Sequence, residues 1–176
     1  MANREALREL QTRLASRLQA ARSGGVSVAW LAVKAGELNY LFPLAQSGEI
    51  FPLINVQVVP YCQPWFMGVV NLRGGLFGVV DLANFMSDRS LRSRTEQLLA
   101  ECSVITFSSA LELNCALMVD SLSGLRKRDS FSDAELPPEG SPVFFGTRFT
   151  DFNGAHWQEI NLQSLSLLPE FLSISA

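Results

Sequence analysis

The residues with the clearest chemical potential lie in VVNLRGGLFGVVDL, residues 69–82, where Arg73 stands beside Gly74-Gly75 and Gly78 follows. Glycines after an apolar run, next to a cation, are the ingredients of a phosphate-cradling loop. That chemistry needs backbone N–H groups gathered at a helix N-terminus. Here GGLFG leads into VVDL, a second strand-type run, and Arg73 occupies the place of a dinucleotide loop's first glycine. Gly74 and Gly75 are therefore read as turn residues that supply positive φ in a tight hairpin. With phosphate set aside, the arginine is left to neutralise an acid or to face a protein partner.

Nucleophilic catalysis has little to draw on. A cysteine or serine nucleophile needs a neighbouring base, and the chain has a single histidine, His156, read as an ordinary strand residue beside a turn. GxSxG and HExxH motifs are absent. Cys62, Cys102 and Cys115 are far apart without a CxxC pair, so they are expected to be free thiols in a reducing compartment, with no zinc site. The expectation is a protein with no catalytic residues, no cofactor and no metal.

Two basic clusters, Arg89/Arg92/Arg94 and Arg126-Lys127-Arg128, raise the alternative of a small barrel that binds single-stranded nucleic acid, with Trp65 and Phe66 as stacking platforms. Asp88, Glu96, Asp129 and Asp133 flank these clusters and the net charge is −3, so solvated loops are the preferred reading. Trp65-Phe66 has two readings of its own: packing into a core, or anchoring an interface, where aromatic residues dominate binding energy.

The elements that must position these residues are mostly short strands. Leu7, Leu10, Leu14 and Leu18 form one apolar stripe and predict a helix over residues 3–22, with Asn3 as N-cap and Gly24-Gly25 as stop. After Gly25 the pattern changes. Strands are expected at 26–34, 38–44, 56–60, 69–72, 76–81, 103–107, 111–119, 125–131, 143–150 and 155–160. Short helices follow at 82–86 and around 162–168, where Pro169 helps end the second. Residues 87–97 read as a polar surface segment, and 132–142 as a loop rich in acid and proline.

A weak internal repeat runs through the strands. Residues 26–44 have a shadow in 102–119, where Glu37-Leu38-Asn39 matches Glu112-Leu113-Asn114. Residues 67–86 have a shadow in 145–165, with Asp81-Leu82 and Asn161-Leu162 each opening a short helix. Two similar small barrels arranged as related halves are expected. The composition, 48% hydrophobic and 18% charged, suits a folded soluble chain, and no run approaches a spanning helix. Arginines and glutamates interrupt any signal-like core near the N-terminus, so a cytoplasmic protein without membrane insertion is expected.

The segment VPYCQPWFMGVVNLRGGLFGVVDLANFM resembles the signature of CheW-like domains, in which a VP…P…GVVNLRG…VIDL run is characteristic. The resemblance extends from about Val26 to Phe171 and includes Val119-Asp120 and the closing NGAHWQEINLQSL. It implies a mainly β fold of two five-stranded barrels with a core between them. The chain then divides into an N-terminal helical extension (1–25), a CheW-like domain of two intertwined lobes (26–171) and a tail (172–176).

The implied activity is that of a non-catalytic adaptor. Such proteins couple the cytoplasmic tip of a methyl-accepting chemoreceptor to the regulatory domain of a CheA-type histidine kinase, at membrane-associated arrays. By position, Arg73 and Gly68 match family residues implicated in partner contacts, as do Ser47 and Glu49 in AQSGEI, although Ser47 replaces a larger or apolar residue. The long basic N-terminal helix and QPWF look like the PilI branch, which serves type IV pili and twitching motility.

Overall fold

Alternate residues of the central strands enter different cores, which is why those strands read as unbroken apolar runs rather than alternating ones. The computed structural model describes residues 2–23, 29–87 and 91–176. Its strands in chain order are β1 (Ala29–Ala35), β2 (Leu38–Pro43), β3 (Ser47–Pro52), β4 (Phe66–Leu72), β5 (Gly75–Asp81) and β6 (Ser103–Phe107). They continue with β7 (Cys115–Val119), β8 (Ser121–Lys127), β9 (Phe131–Glu135), β10 (Phe145–Asp151) and β11 (His156–Ile160). The helices are α1 (Ala2–Ser23), α2 (Leu82–Phe85), α3 (Glu96–Glu101), α4 (Leu162–Ser166) and α5 (Pro169–Leu172).

Two sheets result, a six-stranded one ordered β8-β1-β2-β11-β10-β9 and a five-stranded one ordered β3-β6-β7-β5-β4. The second order is the first with the sequence halves exchanged: β6, β7, β5, β4 and β3 take the places of β1, β2, β11, β10 and β8. Each sheet has one parallel pair at the equivalent place, β2 with β11 and β5 with β7. The chain crosses between sheets twice. β3 leaves β2 to pair with β6, and β8 leaves β7 to pair with β1. The internal repeat therefore corresponds to two intertwined lobes. The six-stranded sheet departs from the expected five because β9 forms inside the segment 132–142, expected to be a loop.

The face of β1 and β2 bearing Leu31, Val33, Tyr40 and Phe42 joins Ile105, Leu117 and Val119 of β6 and β7 in a central core between the sheets. Their other face, with Trp30, Ala32 and Leu41, packs on Phe131, Phe149 and Trp157 inside the six-stranded lobe. Val70, Val79, Val104, Ala116 and Met118 fill the five-stranded lobe in the same way. Helix α1 lies across β3 and β8, the two strands that change sheets. It buries Leu14 and Leu18, while Gln11 donates to Ser103 Oγ at 2.7 Å. The buried stripe is therefore Gln11-Leu14-Leu18 with Leu7 half-buried beside it, and Leu10 turns outward, against the all-leucine stripe expected. Asn3 lies one residue inside the helix rather than before it, and Gly24-Gly25 fall outside the described residues.

Other expectations shift for local reasons. The strand expected at 56–60 shrinks to one bridge, Gln57 to Val69, because Asn55 and Tyr61 adopt left-handed φ and break the extension. The segment 47–52 forms β3 instead. Thr95 caps α3 within the expected polar segment, its hydroxyl accepting from Leu98 N–H, and Pro169 opens α5 rather than closing α4. The tail is not free: Ser175 bridges Cys62, and Ala176 N–H donates to Tyr61 O at 2.9 Å. Behind it, Phe171 is buried against Trp65, Phe85 and Phe107.

Gly68 sits in the bulge of β4 with φ of +135°, and a Cβ there would overlap the Gln57 carbonyl. Gly68→Ala is therefore expected to destabilise the protein by about 2–5 kcal/mol, through left-handed strain plus a backbone clash. Gly74→Ala, at φ of +82° in open space, should cost only about 1–2 kcal/mol. Urea midpoints of the two variants decide the order. The thiols give a second test. Burial pushes Cys102 up to about 11 and Cys115 up to about 12, so both stay protonated and covered at pH 8. A thiol reagent should modify Cys62 alone in the native protein and all three cysteines after denaturation. A second fast-reacting native thiol would contradict this packing.

Candidate functional site

The β4–β5 hairpin closes on Asn71-Leu72-Arg73-Gly74. Asn71 Oδ1 accepts the Gly74 N–H at 3.0 Å, and Arg73 and Gly74 adopt φ of 50° and 82°. Two successive left-handed residues make the turn that matches the twist of a two-stranded ribbon. A side chain at the first of them carries a cost of about 1–2 kcal/mol, so an arginine there is held at the expense of local stability. Its side chain is 75% exposed. The corresponding loop of the other lobe, Asp151-Phe152-Asn153-Gly154, is a turn of another type: among these four only Gly154 has positive φ (82°), Asp151 Oδ1 accepts from Asn153 N–H and Phe152 is exposed. The Trp157 indole, donating to Asp151 Oδ2, together with the turn N–H groups, holds that carboxyl below its ordinary value.

Arg73 Nε meets Glu49 Oε2 at 3.0 Å, and the guanidinium carbon lies 5.9 Å from the Phe51 ring. Glu49 and Phe51 belong to β3, the opposite end of the five-stranded order, so the hairpin tip curls over to join first strand to last. The exposed pair itself adds at most about 1 kcal/mol. It does fix the direction of the cation. Thr106 Oγ1 accepts the Glu49 N–H at 2.7 Å, and a Cβ on Gly48 would overlap that hydroxyl. Arg73, Glu49, Phe51 and Phe77 ring a depression of about 500 Å³.

The six residues singled out from the sequence separate into surface and support. Arg73 and Glu49 are adjacent on the surface. Ser47 is fully buried, its hydroxyl donating to Pro43 O at 2.9 Å, so it shapes the β2–β3 corner rather than offering a contact. Gly68 is buried in its bulge and likewise acts through the backbone. Trp65 lies parallel to Phe171 at 6.2 Å and edge-on to Phe85 at 5.1 Å, yet its free side lines a groove of about 790 Å³ with Tyr40, Phe144 and Phe145. The ring is thus packed on Phe85 and Phe171 and also lines the groove. Phe66 is half-buried and covers Gly78. Thr106, Gly48 and Phe51 escape the sequence reading because the strand that brings them to Arg73 was itself unassigned.

The basic clusters also sort by environment. Arg126 and Arg128 lie over Trp157 and Phe149, each 5.7 Å from the ring centre. Arg89 falls outside the described residues, and Arg92 pairs with Glu37 at the surface. Arg94 corrects the expectation of a solvated loop. Its side chain is 8% exposed and bonds to both Asp81 and Asp120. Burial works against its charge, but the two carboxylates overcome this and hold the guanidinium above its ordinary value. Asp81 is thus the partner of Arg94 and not of Arg73. His156 is exposed with Nδ1 3.2 Å from Thr150 Oγ1. No helix of the described residues is long and apolar enough to cross a membrane.

Comparison with known proteins agrees with this architecture. The family model for the CheW-like domain matches residues 29–165. PilI of Pseudomonas aeruginosa is 28% identical over 130 residues, covering 72% of this chain and 68% of that protein. The crystal structure of the scaffolding protein TtCheW from Thermoanaerobacter tengcongensis superposes with a TM-score of 0.56 at 16% identity, over 77% of this chain and 89% of that one. The exchanged strand order, the NLRG hairpin and the match across both lobes lead to one assignment: the chain belongs to the CheW-like domain family.

Proposed function

We propose that this protein is a non-catalytic adaptor that couples a chemoreceptor to a CheA-type histidine kinase, in a chemosensory system of the PilI type that governs type IV pili. The observation that carries the reading is Arg73. It stands 75% exposed on a rigid left-handed turn of the family's signature hairpin. A cation held out at the cost of local strain suits recognition, because strain of this kind persists where the surroundings enforce it for a purpose. The Arg73–Glu49 pair and the groove beside Trp65 offer two surfaces, one charged and one aromatic. The partners are the cytoplasmic tip of the receptor and the regulatory domain of the kinase, and the adaptor works in the cytoplasm at membrane-associated arrays. Single contacts are of modest affinity and gain strength from simultaneous engagement.

Arg73→Glu provides the test. It places two acids side by side at the exposed tip without touching a core, so stability should change by less than about 1 kcal/mol. Capture of the receptor tip or the kinase regulatory domain should fall at least tenfold in a purified pull-down. Normal capture of both partners by a folded variant would remove Arg73 from the site.

A further inference from the structure

The two crossovers between the sheets are tied down by different chemistry. At one, Gln46 lies between β2 and β3. Its Oε1 accepts the Leu162 N–H at 2.7 Å, and its Nε2 donates to Asn161 Oδ1 at 3.4 Å. Asn161 in turn caps α4 by accepting from Ser164 N–H. At the equivalent corner between β7 and β8 stands Asp120, and the equivalent cap is Asp81, which accepts from Asn84 N–H to start α2. The two caps share backbone geometry, φ/ψ of −73°/104° for Asp81 and −77°/101° for Asn161. Two carboxylates cannot bond one another as Gln46 and Asn161 do. Arg94 intervenes, with Nε and Nη2 at 3.0 and 2.7 Å from Asp120 Oδ1 and Nη1 on Asp81 Oδ2.

The groups that converge on this guanidinium come from both lobes. Asp81 ends β5 in the five-stranded sheet, and its N–H donates to Trp65 O at 2.8 Å. Asp120 is bound to the six-stranded sheet: its N–H donates to Lys34 O at 2.8 Å, and its Oδ2 accepts the Gly36 N–H at 2.6 Å. Alongside, Arg92 N–H donates to Asn84 Oδ1 while the Arg92 guanidinium meets Glu37. A neutral solution to the same corner already exists at the other end of the molecule. A buried ion cluster is in general no better for stability than a well-packed neutral replacement, but charge-assisted, forked bonds restrict geometry tightly.

We propose that Arg94 is a positioning residue that fixes the orientation of one lobe relative to the other, so that binding on one lobe is transmitted to the second. The transmission half of this inference rests on the adaptor reading above; the geometric half does not. Coupling between sites requires a connection whose arrangement both sites bias, and a soft joint between the lobes dissipates it.

The experiment uses the full chain with the Arg94 cluster replaced by the chemistry of the other corner: Asp81→Asn, Arg94→Met and Asp120→Gln together. A second variant, Arg94→Lys, keeps the charge but lacks the fork. Spin labels at Leu76 and Asp133, exposed positions on the two sheets, report the distance between lobes on a Cys62→Ser background. The expected result is a folded triple variant whose distance distribution is at least twice as wide as that of the parent. Its capture of receptor tip or kinase regulatory domain alone is unchanged, but simultaneous capture falls at least tenfold. Arg94→Lys should be intermediate in width. A triple variant that fails to fold, or one that folds with the parent's distribution, overturns the proposal. If the parent protein itself never captures both partners, the adaptor reading falls, and the distance widths still decide the role of Arg94.

Discussion

One buried cation shared by a buried and a half-buried carboxylate ties the two lobes of this molecule. Arg94 bonds to Asp81 and Asp120 from inside the fold, where the buried Asp81 alone would carry an uncompensated desolvation cost. Asp81 cannot cap α2 and terminate β5 in that place without a counter-charge. Asp120, where the chain turns from one sheet to the other, accepts the Gly36 N–H with its second oxygen. The segment that supplies Arg94 is therefore drawn against both lobes although its composition is that of a surface loop.

The strand exchange explains why such a joint is needed. Because β3 and β8 each leave one sheet for the other, neither half of the sequence can complete a sheet from its own strands. The central core fills the space between the sheets with one face of β1, β2, β6 and β7, while the opposite faces fill each lobe. Helix α1 seals the two exchanging strands with Leu14, Leu18 and the Gln11–Ser103 bond. Packing fills the space between the lobes, and directed polar bonds tie each of the two crossovers.

Two unlike exposed surfaces grow out of this frame. The NLRG tip and the DFNG tip close corresponding hairpins with different turns, each bridged by an Asn71 or Asp151 side chain, and one displays a cation while the other displays a phenylalanine. Different turns at corresponding hairpins give the two related lobes unlike tips. Trp65 combines support and display in one side chain, since Phe171 and Phe85 hold the ring while its free side lines the groove.

Much of this was legible in the residues themselves. Apolar strand runs, the first helix and the paired Asp81-Leu82 and Asn161-Leu162 caps depend on neighbours close in sequence, so local pattern sufficed to give most strands, the hairpin and the repeat, although the turn takes its positive φ at Arg73 and Gly74 rather than at Gly74 and Gly75. Tertiary structure alone decided the rest. It turned Leu10 out and Gln11 in, because the helix meets β3 and Ser103 rather than a uniform apolar surface. It buried Ser47, whose hydroxyl bonds to Pro43 O, and Gly68, where a Cβ would meet the Gln57 carbonyl, although their positions in the motif suggested contact. Above all it took Arg94 from an apparently solvated loop to the joint between the lobes. Its two acids lie 13 and 26 residues away, and no local pattern records which distant carboxylates will be left facing one another.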